Sequence, residues 1–502
     1  MPLQTRVKEH LPELLCTAFG LLVLYWQWFS IDADGIAYTD IAMKWGAGLY
    51  GQAVNAFWSP LWSWLLIPLL RIIGHPHISI RLLQFMLLLM GLRLWKKWVT
   101  QMAHPENQSG SLMRFIGGLN LACLSQVCSG PDFLACILTV EFCRKLIIQK
   151  PSFFTLGLWL ALLYYTQMYL LFFGVVALIS VWFYRCYFNK EKLFTLPSIL
   201  KLAGTAILAA FIIFPWSNAL HKKYKKWMMG SSQHYHSIYQ FAGGTEPAWK
   251  NAGLVAPPDE HSTFLWTDIT KRIGDFRSRI KQNNKGKTAI LSYNLLKTLR
   301  MLAISACAGF LAILFFWRVR KKLSPEQKDR IVLHVLFAAL YVGGYLLLLP
   351  EQRHLWPVFM ILSGLTVCLP RPVLPIKNKY VYALALCCII LSHSIYSAFE
   401  NRQCIKEHLL AVALEPVVPK GAHIATFKTG QTWSLSFYNR YRDYGGIYNN
   451  SNKNLRADLE LYDIRYILVT RNDLEQTENL LAQIGYTKRA IKAGSWYVLK
   501  LN

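Results

Sequence analysis

The chain has 502 residues, of which 54% are hydrophobic and 16% charged, whereas soluble globular chains carry about 25% charged residues. The apolar residues fall in long runs, which excludes an ordinary soluble enzyme and indicates a multispanning membrane protein. The formal net charge of +27 lies largely in short loops between those runs, not on one soluble face as nucleic-acid binding requires.

Eleven spanning helices are expected, at 11–30, 81–99, 112–128, 131–148, 155–166, 167–184, 196–215, 296–317, 330–349, 354–369 and 380–397. The first run lacks the small-residue exit of a cleavable signal peptide and passes straight into an acidic loop. With a cytoplasmic N-terminus carrying Arg6 and Lys8, the later basic clusters all fall on the cytoplasmic side. They are Lys96-Lys97, Arg144-Lys145, Arg185 with Lys190, Arg318 to Lys322, and Arg371 with Lys377. This holds only if Phe57–Ile73, with Pro60 and Pro68, lies in the interface or re-enters. The reading is therefore an α-helical polytopic membrane module over 1–397, with outer loops 31–80 and 217–293. A small α/β soluble domain over 398–502 follows on the same outer face. In it, His423–Phe427, Tyr466–Thr470 and Trp496–Leu499 read as strands, and Asp473–Ile484 as a helix.

The first outer loop carries Asp32, Asp34 and Asp40 where a membrane helix meets water. An ionisable group at that depth is costly and marks a functional site. If Ile36 to Trp45 is helical, Tyr38 packs one turn below Asp34, and Asp34 gains from the helix dipole. Asp32 reads as a helix N-cap. At the second outer turn, Gly130-Pro131-Asp132 opens a helix, so Asp132 reaches the same face. Two carboxylates converging there suit proton transfer or a divalent metal. Further on, the loop opening at His221 brings Lys222 and Lys223 to the outer face, against the positive-inside trend. His234 and His236 show no metal-ligand spacing and read as structural. Arg353 and His354 sit at another outer turn, where Arg is the natural grip for a phosphate. Most of the eleven cysteines lie in or beside apolar runs as small hydrophobes. No phosphate loop, dinucleotide motif or zinc spacing is present in the sequence.

Asp34-Gly35-Ile36-Ala37-Tyr38-Thr39-Asp40, followed by Asn55-Ala56-Phe57-Trp58-Ser59-Pro60, resembles the first-loop signature of bacterial membrane glycosyltransferases of the GT-C superfamily. These include the protein O-mannosyltransferases and the aminoarabinose transferases. In those relatives a second acid stands where this chain has Gly35. Gly130-Pro131-Asp132 is similar to their second acidic motif, and Gln352-Arg353-His354-Leu355-Trp356-Pro357 to their Arg-Tyr-Leu-x-Pro element. The resemblance covers roughly residues 10–370. It implies an inverting transfer of a sugar from a polyprenyl-phosphate donor to a glycolipid, glycan or protein acceptor. The active face is then the periplasmic side of the inner membrane. Asp34 and Asp132 are the catalytic pair it implies, with Asp34 as general base. Asp132 orients the acceptor or holds a divalent metal, the one cofactor that enters. Tyr38, Asp40, Arg353, His354, Lys222 and Lys223 are the substrate contacts, and Trp58, Trp62 and Trp64 form an apolar rim. A flippase or transporter for lipid-linked sugars is the alternative, and a non-enzymatic assembly protein a third. A flippase favours internal repeats and mid-helix charges, which this chain does not display.

Overall fold

The computed structural model describes residues 3–103, 110–149, 151–188, 195–232, 235–236, 254–272, 287–305, 311–314, 316–317, 320–346, 351–369, 391, 394–396, 398, 404–427, 432–447, 455–486 and 488–501. The expected span 380–397 lies almost wholly outside these, and 296–317 partly so.

Apolar runs without charges form helices because only the helix satisfies every backbone group within its own segment. Those that position the site are α1 (Leu3–Trp26), α2 (Ala33–Gly46), α3 (Leu61–Ile73), α4 (Pro76–Met102), α5 (Gly110–Val127) and α6 (Asp132–Ile148). They continue with α7 (Phe153–Thr166), α8 (Met168–Phe188), α9 (Leu196–Tyr224), α10 (Lys287–Ser305), α11 (Pro325–Leu346) and α12 (Trp356–Cys368). Among the described residues, α4, α8, α9 and α11 are long and apolar enough to cross a bilayer, and α3, α7 and the helix entering α12 are shorter apolar helices. The chain is a multi-pass membrane protein.

The centre of the bundle is α12, buried at every residue, packed against α6, which is buried along nearly its whole length. The outer helices turn apolar side chains outward, as Leu200, Ile207 and Phe211 do on α9. Such a surface is suited to lipid. At 13 residues, α3 is only about 20 Å long, short of the ~30 Å hydrocarbon core. It packs on α2, and Ser63 Oγ donates to the Tyr38 carbonyl at 2.8 Å. Together α2 and α3 cover one end of the bundle.

Alternate helices run in opposite directions, so their ends sort into two groups. At one end Lys96 meets Glu9 at 3.2 Å, Arg114 meets Glu13 at 2.6 Å and Arg144 meets Glu141 at 2.6 Å. Arg185 donates to the Leu146 carbonyl and Arg330 to that of Gln101 there. At the opposite end lie the starts of α2, α6 and α12 and the Gln167 junction between α7 and α8.

The C-terminal region holds α13 (Cys404–Leu414), β1 (His423–Phe427), α14 (Trp433–Asn439), β2 (Arg442–Ile447), α15 (Leu455–Leu461), β3 (Tyr466–Thr470), α16 (Leu474–Gln483), β4 (Lys488–Ala493) and β5 (Trp496–Leu501). The sheet order is β2-β1-β3-β5-β4; β1 is parallel to β2 and β3, and β5 is antiparallel to β3 and β4. β2 and β4 are additions to the three strands expected. The sheet region docks at the α2 end of the bundle. Tyr438 donates to the Phe29 carbonyl at 2.8 Å, and Arg440 pairs with Asp40 at 2.8 Å.

Candidate active site

The acid-bearing helix α2 starts at Asp32. Its Oδ1 accepts from Gly35 N at 2.6 Å, and its Oδ2 from Ser129 N at 2.9 Å, while Asp32 N donates to Ser129 Oγ at 3.0 Å. Burial pushes the Asp32 carboxyl above its usual value, and the neighbouring Asp34 adds to this. Its work is to cap α2 and clamp it to the turn before α6. Gly35 makes that clamp possible. A Cβ there would meet Ser129 Oγ at 2.2 Å and Ser129 Cβ at 2.5 Å. The second acid of the related loops has no room at this position.

The clamp brings Asp34, in the first turn of α2, beside Asp132, in the first turn of α6. Arg353, just before α12, joins them. Its Nη1 lies 2.6 Å from Asp34 Oδ2 and 3.6 Å from Asp132 Oδ2, and its Nε donates to Glu351 Oε2 at 2.7 Å. One guanidinium is thus shared by three carboxylates. The other oxygens are held too: Trp266 Nε1 donates to Asp34 Oδ1 at 3.2 Å and Gln167 Nε2 to Asp132 Oδ1 at 3.1 Å.

These groups line a cavity of about 280 Å³. Asp34, Asp132, Glu351, Arg353, His236 and His354 form its polar wall. The apolar wall is aromatic. Phe57, Trp58, Tyr235 and Trp266 contact one another edge to face, and Tyr38 lies 5.0 Å from Trp58 between ring centres. Rings so disposed, beside carboxylates and a guanidinium, suit the apolar face and hydroxyl edge of a sugar.

Burial first, then Asp132 and Asp34, raise Tyr38 well above the ordinary phenol value, so it stays protonated at neutral pH. Burial also acts to raise Glu351, but Arg353 and His354 outweigh it and hold that carboxyl below its usual value. Burial, with the nearby His354, brings His236 from 6.5 down to about 4. His354 stacks on Tyr345 with ring centres 5.0 Å apart.

Of the residues expected from sequence, Asp34, Tyr38, Asp132, Arg353 and His354 meet in this cavity. Asp40, Lys222 and Lys223 do not. Asp40 is fully buried behind α2, where it accepts from Thr263 N and Oγ1, Thr267 Oγ1 and Arg440. Both its oxygens are engaged there, and it does not line the cavity. Lys222 is exposed on α9, and Lys223 is drawn to Asp268 at 2.9 Å and to the Val54 carbonyl at 2.5 Å. Of the expected rim, Trp58 reaches the cavity. Trp62 is buried in the core, and Trp64 packs on Trp216 and Tyr165. His234 lies outside the described residues, but His236, read as structural, faces the cavity. Gln167, Tyr235, Trp266, Tyr345 and Glu351 also line it, without a local sequence signal. Among the described residues no group of three or more His, Cys, Asp and Glu is arranged to hold a metal.

No protein-family model matches the chain, and no curated protein matches it. Among solved structures it is similar to ArnT from Cupriavidus metallidurans bound to undecaprenyl phosphate, with a TM-score of 0.55, 12% identity and 97% of each chain covered. This chain has the GT-C fold. The apo form of that ArnT gives a TM-score of 0.42, also at 12% identity and 97% of each chain. The mycobacterial arabinofuranosyltransferase AftD gives 0.48 at 13% identity, covering 98% of this chain and 40% of that one. Here the helix ends and loops, not the spans, carry the polar lining.

Proposed function

We propose that the chain is a glycosyltransferase that moves a sugar from a polyprenyl-phosphate donor to a hydroxyl or amine of an acceptor, with inversion. The convergence of Asp34, Asp132 and Arg353 from three distant segments on one cavity carries this reading. The solved ArnT of similar fold is bound to undecaprenyl phosphate, which supports the donor class. In the reaction Asp34 takes the proton of the acceptor group as its heteroatom attacks the anomeric carbon. The bond from that carbon to the phosphate oxygen breaks, and the electron pair leaves on the lipid phosphate. Arg353 is the group to receive that charge. The donor phosphodiester, a monoanion until its bond to the sugar breaks, draws the guanidinium from Asp34 and frees the carboxylate as base. Asp132, held by Gln167, orients the acceptor, and the aromatic wall excludes water. The active face is the extracytoplasmic one, a placement supported by the basic side chains gathered at the opposite end of the bundle.

The test is mass spectrometry of surface glycans and glycolipids from cells that express the chain and cells that lack it. The reading predicts one saccharide mass present only in expressing cells. Identical profiles despite expression in the membrane would refute it.

A further inference from the structure

A second cavity, of about 310 Å³, shares no residue with the first. It lies between the C-terminal end of α2, the 260–263 segment and the start of β2. Its lining includes Lys44, His261, Ser262, Thr263, Arg440 and Arg442. The carboxylates that balance two of these cations stand behind the wall, outside the lining. Lys44, with 1% of its side chain exposed, is held by Asp259 at 2.7 Å and Ser262 Oγ at 2.7 Å. Arg440 is held by Asp40 at 2.8 Å. The lining's own acid, Glu260, is 72% exposed and pairs with His261 at 3.2 Å. Arg442 is different. Its Nη2 donates to the Asp259 carbonyl at 3.3 Å and its Nη1 lies 3.4 Å from His423 Nε2, but its buried Nε has no hydrogen-bond partner. Among the described residues no carboxylate pairs with Arg442.

A half-buried guanidinium that no described carboxylate balances, on a wall with two more cations, lacks its anion. Phosphate and carboxylate oxygens match that fork in a bidentate way. We infer that this second cavity is a binding site for an oxyanionic group, a phosphate or carboxylate, held by Arg442, Arg440 and Lys44. Lys44 follows Asp34 by ten residues on the same helix, a rise of about 15 Å. On the glycosyltransferase reading above, the anion belongs to the acceptor, and its distance from the reacting group is of that order.

The experiment is calorimetric titration of the full-length chain in detergent with inorganic phosphate. Wild type binds it. Arg442→Gln removes the fork and lowers affinity by about tenfold or more. Ala47→Trp, which fills the cavity from an exposed position in its lining and removes no charge, does the same and covers the case in which Arg442→Gln misfolds. Arg353→Gln, in the first cavity, leaves this binding in place. No binding to wild type, binding unchanged in both cavity variants, or binding lost only in Arg353→Gln overturns the inference. Mannose 6-phosphate and dihexanoyl phosphatidic acid then separate the sources. The tighter, Arg442-dependent ligand tells a saccharide anion from a lipid headgroup, and weaker binding of both than of phosphate overturns the assignment to an acceptor. Because the signal needs no turnover, lost phosphate binding with intact sugar transfer refutes this site alone. Lost transfer with intact binding refutes only the catalytic reading.

Discussion

Each end of α6 lies beside an arginine held by carboxylate oxygens, and the two are arranged differently. At the C-terminal end Arg144 has no exposed surface. Both its Nε and Nη2 reach Glu141 at 2.6 Å, and Nη1 takes the Gln101 side-chain carbonyl. Lys145 stands 3.9 Å from the same Glu141, so this carboxylate has two cations, and neither cavity described above is lined by these residues. At the N-terminal end Arg353 is divided among Asp34, Asp132 and Glu351 and keeps 24% of its side chain exposed, toward a cavity. The first arrangement is complete in itself and holds helices together. The second carries an excess of negative charge and an arginine that a phosphate can recruit. The comparison teaches that burial of a charge does not mark a site; carboxylates in excess beside a cavity do.

Substitutions at the two arginines separate these roles. Arg353→Gln removes the group that receives the leaving phosphate, so sugar transfer by the purified chain falls by about 10²–10³-fold. Arg144→Gln instead leaves the buried Glu141 with Lys145 alone, at 3.9 Å, which costs up to about 3–5 kcal/mol, read as a lower unfolding temperature in detergent. Equal loss of stability in both variants would erase the distinction. A smaller effect sharpens it from the α2 side. Gly35→Ala forces a methyl into Ser129, costs about 1–3 kcal/mol and loosens the clamp that aligns Asp34 with Asp132. Transfer should fall with stability, and a fully active, fully stable Gly35→Ala chain would show that the clamp does not set the site.

The parts legible in the sequence are those with local chemistry. His423–Phe427 and Tyr466–Thr470 are apolar, β-branched or aromatic over five residues and stand as strands at those bounds. β2 went unforeseen because Arg442-Asp443-Tyr444-Gly445-Gly446-Ile447 carries two glycines, which a strand rarely tolerates. β4 was hidden by Lys488, Arg489 and Lys492, whose charges suit a sheet edge. In the cavity, Asp34, Asp132 and Arg353 were visible as charges at the ends of apolar runs. Trp266 and Gln167 were not, since each acts on an acid 232 and 35 residues away. Asp40 shows where a local reading stops. Its place in the loop suggested substrate, but Arg440, 400 residues on, and the 263–267 hydroxyls take its oxygens.

The base itself admits the most direct test. The wild-type chain and Asp34→Asn, each reconstituted in nanodiscs, are given a radiolabelled polyprenyl-phosphate sugar with a membrane extract as acceptor, and label transfer is timed. The account predicts transfer by wild type and a loss of about 10²–10⁴-fold in the variant, at an unchanged unfolding temperature. Transfer by Asp34→Asn at the wild-type rate would contradict it.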